Sequence, residues 1–156
     1  MSFVIFSVKN MSRIKTKPQE KISSAEREIL SSVSENVAVS YAYVTTNKTY
    51  SYGAFEKKRW REELAARQSE FELIRQITGA AWKIMILKRK EEFGGSETIP
   101  KKQICFQPAA NFNMSEDEKV YVLRFGANME YRLLGVRRGN VLCVIGYDFS
   151  YSAYQH

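Results

Sequence analysis

The stretch YSAYQH, residues 151–156, carries Tyr151, Tyr154 and the chain's only histidine, His156. An imidazole titrates near neutrality, so His156 folded against the protein can take or give a proton at physiological pH. Four arginines precede it in strand-like sequence, Arg124, Arg132, Arg137 and Arg138, with Tyr147 between them and the tail. Guanidinium groups fork onto phosphate oxygens, and tyrosine rings stack on bases. Taken as a group these side chains suit a nucleic-acid strand. Taken singly, each arginine serves equally well as an edge charge that keeps sheets from pairing. His156 taken alone reads more readily as a frayed end with no role.

More cations lie in the longest helical pattern, from about Ala54 to Lys90. Lys57, Lys58, Arg59 and Arg61 cluster at its start, and Lys88, Arg89 and Lys90 at its end, with no acid inside either group. Between them Glu62, Glu63, Glu70 and Glu72 offset the arginines. This face reads either as a solvated surface with helix-stabilising pairs or as a track for phosphates. Trp60, Leu64, Phe71, Ile74, Ile77, Ala81, Ile84 and Leu87 recur at steps of three and four, which predicts one apolar stripe against the core. Gly79 is a flaw that divides the helix.

The elements that must position these groups follow from local pattern. Residues 2–9 read as a strand, 10–22 as a basic loop around Pro18, and 24–35 as a helix with a Ser23–Glu26 capping box. The tyrosine-rich segment 37–60 opens with strand-like alternation over 37–45, and residues 49–52 could pair back on it. Residues 91–103 read as a loop by their glycines and Pro100, and 104–106 as a short strand. Residues 119–148 predict a three-strand meander, its last two strands joined by Gly139-Asn140. That turn sets Arg138 opposite Val141, Val136 opposite Cys143, Leu134 opposite Ile145 and Arg132 opposite Tyr147. Tyr131, Leu133, Arg137, Val144 and Asp148 then share the other face, with Arg124. The fold class is α+β over a single domain, residues 1–156, with an antiparallel meander and tail over 119–156 packed on a long amphipathic helix.

Totals narrow the function. The chain of 156 residues is 44% hydrophobic, enough for a core, and carries 24 Lys and Arg against 17 Asp and Glu, a net charge of +7. That surplus favours an acidic partner. No apolar run reaches the roughly 18–20 residues of a membrane span. The opening MSFVIFSVKN lacks a basic lead and a cleavage site, so a cytoplasmic protein is expected. Cys105 and Cys143 sit in apolar runs and are expected as buried thiols, with a disulfide allowed but not required. Two cysteines and one histidine do not assemble a structural zinc site. No phosphate-binding glycine loop or dinucleotide fingerprint is present, so no cofactor is indicated.

The stretch LRFGANMEYRLLGVRRGNVLCVIGYDFSYSAYQH resembles a pattern in small uncharacterised proteins of bacterial mobile elements and phages. Arg124, Arg132, Gly135, Arg137, Asp148, Tyr154 and His156 occupy the pattern's places, and ITGAAWKIM resembles the helix before it. The strand–helix–helix–meander order is also similar to RelE-type messenger-RNA interferases, in which residues 37–60 would be an insertion. This resemblance implies metal-free cleavage of RNA, by attack of a ribose 2′-hydroxyl on the adjacent phosphate, alone or on the ribosome. His156 would then be the base or acid, Tyr154 its assistant, and Arg132 and Arg137 the holders of phosphate. Arg124, Arg138, Tyr147 and the two lysine–arginine clusters would bind the strand, and an acidic antitoxin would be the partner. The alternative is a non-catalytic accessory protein of a phage or mobile element that binds a host or defence protein, or its guide RNA. The tyrosines of 37–60 suit such an interface.

Overall fold

The computed structural model describes residues 36–56 and 58–154. The strand, loop and helix expected over 2–35, together with Lys57 and His156, lie outside the described residues. The elements run β1 (Ala38–Ser40), α1 (Gly53–Glu56), α2 (Trp60–Thr78), α3 (Trp82–Leu87), β2 (Ser96–Pro100), a 3₁₀ turn at Lys101–Gln103, β3 (Lys119–Phe125), β4 (Tyr131–Arg138) and β5 (Val141–Asp148). One five-stranded sheet has the order β1-β5-β4-β3-β2. Among the described residues only the β1–β5 pair is parallel. The fold class is therefore α+β, with a long helix and a C-terminal meander, as the pattern predicted.

Both faces of the sheet are covered, so the central strands are buried on both sides. The helices cover one face, where Leu73, Ile77, Trp82 and Met85 meet Leu123, Phe125, Leu133, Val144 and Tyr147. The other face packs Val120, Val122, Leu134, Val136 and Ile145 under Phe106, Ala153 and Tyr154. The helix divides at Gly79, which ends α2 with its N–H on the Arg75 carbonyl. The buried side of α2 keeps Ile77 of the stripe read from sequence and loses most of the rest. Ala66, Leu73 and Ile77 are buried, while Trp60, Leu64 and Phe71, and Ile84 and Leu87 of α3, are exposed. Two apolar rows run along α2, and periodicity alone does not say which one meets the sheet.

Three further expectations give way. Residues 96–100 form an edge strand paired with β3, with Pro100 at its last position, where a missing N–H costs least. Ile104 and Cys105 form no strand; Ile104 pairs with Tyr154 as a single bridge, and the Cys105 N–H bonds the Ala153 carbonyl at 2.9 Å. Residues 37–60 are no hairpin. After β1 the chain follows β5, with Thr45 N–H on the Ile145 carbonyl and Tyr147 N–H on the Tyr50 carbonyl, both at 2.8 Å, and its Phe55 is fully buried. Cys143 is buried and Cys105 exposed, and both are unpaired.

The meander carries the correction with most consequence. From the Gly139-Asn140 turn, with Gly139 at φ +59°, the register runs as expected through Arg138–Val141, Val136–Cys143 and Gly135–Val144. A bulge then leaves Ile145 without a partner across the ladder, so Leu134 pairs with Gly146, Leu133 with Tyr147 and Arg132 with Asp148. A Cβ on Gly146 would lie 2.7 Å from Phe106 Cζ and 2.9 Å from the Tyr50 oxygen, so the close approach requires glycine. Arg124 pairs with Arg132, and hence shares its face and not that of Leu133.

Candidate functional site

The bulge brings four charged side chains into a row across β2, β3, β4 and β5 on the face away from the helices. Asp148 is fully buried and Arg132 is 2% exposed, with Arg132 Nη1 3.7 Å from Asp148 Oδ2. Arg124 Nη2 donates to Glu97 Oε1 at 3.3 Å. The tail folds over this row because Asp148 organises it. Its Oδ1 accepts the N–H groups of Ser150 and Ser152 at 3.0 and 3.1 Å, and its Oδ2 that of Ala153 at 3.2 Å. Tyr151, held at φ 58°, places its ring 3.8 Å from the Arg132 guanidinium carbon. Tyr154 donates to Glu97 Oε1 at 2.5 Å.

Two acids thus balance two arginines, with Asp148 and Arg132 buried and Glu97 and Arg124 half-buried. Burial acts to raise the Glu97 carboxyl, but the Tyr154 hydrogen bond and the charges of Arg124 and Arg132 outweigh it, and its pKa falls below the usual value. Burial, then the bond to Glu97, pushes the Tyr154 hydroxyl well above its ordinary pKa, so it stays protonated at neutral pH. Arg132 Nε and Nη1 and Arg124 Nε are buried with no hydrogen-bond partner among the described residues.

The four residues given catalytic roles by resemblance do not share one place. Arg132 and Tyr154 meet under the tail, and His156 lies outside the described residues. Arg137 points to the helix face, five residues along β4, a separation of roughly 16 Å. The expected convergence of Arg132 and Arg137 on one phosphate therefore fails: opposite strand parity sends them to opposite faces. Tyr147 is also not a stacking platform. It is fully buried, and its hydroxyl donates to Glu70 Oε1 at 2.5 Å.

The remaining expected contacts disperse. Arg138 pairs with Glu118 and donates to the Asn113 carbonyl at 3.2 Å, its guanidinium 5.0 Å over Phe112. Lys58 lies 4.5 Å over the Tyr131 ring and 5.2 Å over Phe149. Arg59 precedes α2 exposed, and exposed Arg61 lies 5.8 Å over Trp60. Lys88 turns inward to Gln76 Oε1 at 2.7 Å, leaving Arg89 and Lys90 exposed.

Arg137 instead lines a different place. Between α3 and the tip of the β4–β5 hairpin lies an open cleft of about 320 Å³, bounded by Ala81, Trp82, Lys83, Ile86, Arg137 and Asn140. The Arg137 guanidinium lies 4.9 Å over the Trp82 ring, and its Nε donates to the Gly139 carbonyl at 2.8 Å. Those contacts fix its position without neutralising it. Arg137 and Lys83 are both exposed, and neither has an acidic partner among the described residues. In the sequence Lys83 is a single cation within the apolar run Trp82–Leu87, with nothing to distinguish it. What singles it out is the register that brings the hairpin tip beside α3.

No group of acids, cysteines and histidine suited to a metal ion occurs among the described residues. No described helix is long and apolar enough to cross a membrane. Comparison with known protein families, characterised proteins and solved structures gives no match.

Proposed function

We propose that the protein binds RNA, with the strand's phosphates entering the cleft between α3 and the β4–β5 hairpin tip. The observation that carries this reading is the pair of unneutralised cations, Lys83 and Arg137, facing one open cleft. Phosphate contacts of this kind give affinity without base selection. The similarity of the strand–helix–helix–meander order to RelE-type messenger-RNA interferases supports RNA over other polyanions. Cleavage of the bound strand by His156 is the finer form of the reading; Tyr154, buried and bound to Glu97 on the face of the sheet opposite the cleft, takes no part in it. In that form Arg132 holds the tail through Asp148 and does not touch phosphate.

The test is fluorescence anisotropy with a labelled single-stranded RNA at several salt concentrations, followed by a denaturing gel of the same mixtures. Two lost phosphate contacts should flatten the log–log salt slope of a Lys83→Ala/Arg137→Ala variant by about 1.4 relative to wild type. An unchanged slope overturns the assignment. Shortened RNA on the gel, abolished by His156→Ala, would establish the nuclease form.

A second reading has its own observation. Trp60 is 70% exposed and Phe71 71% exposed, in one row on α2 with Leu64. Exposed aromatics in a row suit a protein partner, as the accessory-protein alternative requires.

A further inference from the structure

The inner turn of α2 faces a second cleft, of about 400 Å³, lined by Tyr41, Tyr52, Arg67, Glu70, Phe71 and Ile74. Its walls are aromatic and aliphatic, and Glu70 is the only carboxylate among its lining residues. Glu70 Oε1 accepts the Tyr147 hydroxyl at 2.5 Å and the Tyr41 hydroxyl at 3.4 Å, which leaves Oε2 with no hydrogen-bond partner among the described residues. Arg67, the one cation at the rim, is engaged elsewhere. Its Nε donates to Glu63 at 2.9 Å, and its guanidinium lies 4.7 Å over the Phe55 ring.

We propose that this cleft is a binding site for an organic cation, an ammonium or guanidinium group on an aliphatic stem. The charge would meet Glu70 Oε2, and the stem would lie between Tyr41, Tyr52, Phe71 and Ile74. Three features fit that chemistry and fit an anion poorly. Tyrosine rings on the wall present negative faces to a cation. The Tyr147 and Tyr41 hydroxyls are turned to Oε1, which fixes the carboxylate in place. Burial also holds the Glu70 carboxyl above its usual pKa, against the bonds from Tyr147 and Tyr41 and the charge of Arg67, so a second cation would relieve an unfavourable charge. The site is separate from the Lys83–Arg137 cleft in sign and in residues. Either assignment can fail without the other.

The experiment is an NMR titration of the whole chain, following the Ile74 methyl and Phe71 ring signals. The probes are butylammonium and butylguanidinium, with butanol as the neutral control. The expected result is a saturable shift with both cations, little with butanol, and affinity lowered about tenfold or more in Glu70→Gln. Tyr52→Leu, at an exposed position, should also weaken binding and serves if Glu70→Gln does not fold. Equal response to butanol, or full affinity in the folded variants, overturns the proposal. Tighter binding of spermidine, or of acetyl-Ala-Lys-Ala-amide, than of butylammonium supports it and distinguishes a free polyamine from a peptide side chain.

Discussion

Removing the Asp148 carboxylate is the sharpest perturbation of the tail. Asp148→Ala leaves the Arg132 guanidinium, 2% exposed, without its acid, and deprives three tail amides of their acceptor. Breaking a buried pair from one side costs about 3–5 kcal/mol, because the remaining charge stays out of water. For a chain of this size that lowers the melting temperature by roughly 6–20 °C. Urea unfolding followed by tryptophan fluorescence measures it, since both tryptophans, Trp60 and Trp82, lie in the helical layer. Arg132→Met should cost less, because Asp148 keeps its three backbone donors. The double variant should be more stable than Asp148→Ala alone, since no stranded cation remains. A loss under about 1 kcal/mol in Asp148→Ala, or a double variant as unstable as the summed singles, refutes the reasoning.

Other substitutions probe neighbouring parts. Gly146→Ala forces a methyl against the Phe106 ring and the Tyr50 oxygen and should cost about 1–3 kcal/mol in the same urea assay. Glu97 has a lowered pKa, so its stabilisation is present above the unfolded value of about 4.3 and is lost as pH falls through the folded one; Glu97→Gln should flatten acid unfolding there. Glu70 has a raised pKa, so its contribution is full below the unfolded value and declines as pH rises through the folded one. Glu70→Gln should remove this decline, read as melting temperature against pH. Phe71→Ser, at a position 71% exposed, should change stability by no more than about 0.5 kcal/mol in the urea assay.

Local chemistry made much of the meander legible. The Gly139-Asn140 turn, the alternation of Val136, Leu134 and Cys143, and the break at Gly79 are all signals carried within a few residues. The bulge at Ile145 was not legible, because its cause is remote: residues 45–50 bond β5 on its other edge, and Phe106 lies against Gly146. That one inserted residue moved Asp148 opposite Arg132 and turned an expected phosphate site into a clamp on the tail. The edge strand at Ser96–Pro100 hid behind its glycines and proline, although Ser-Glu-Thr-Ile alternates as a strand should. On α2 two apolar rows competed, and the sequence offered no means to weigh Leu73 against Phe71. Lys83 was visible only as a charge, because Arg137 comes to line the same cleft only through the packing of α3 on the sheet.

The division of labour among the arginines is open to one direct measurement. An NMR titration with single-stranded RNA can follow the two indole N–H signals beside the backbone amides of the hairpin tip and the tail. Trp82, whose ring lies under Arg137, should shift together with Lys83 and Asn140, while Ser150, Ser152 and Ala153 stay in place. Shifts confined to those tail amides and to Arg132, with Trp82 unmoved, would contradict the account.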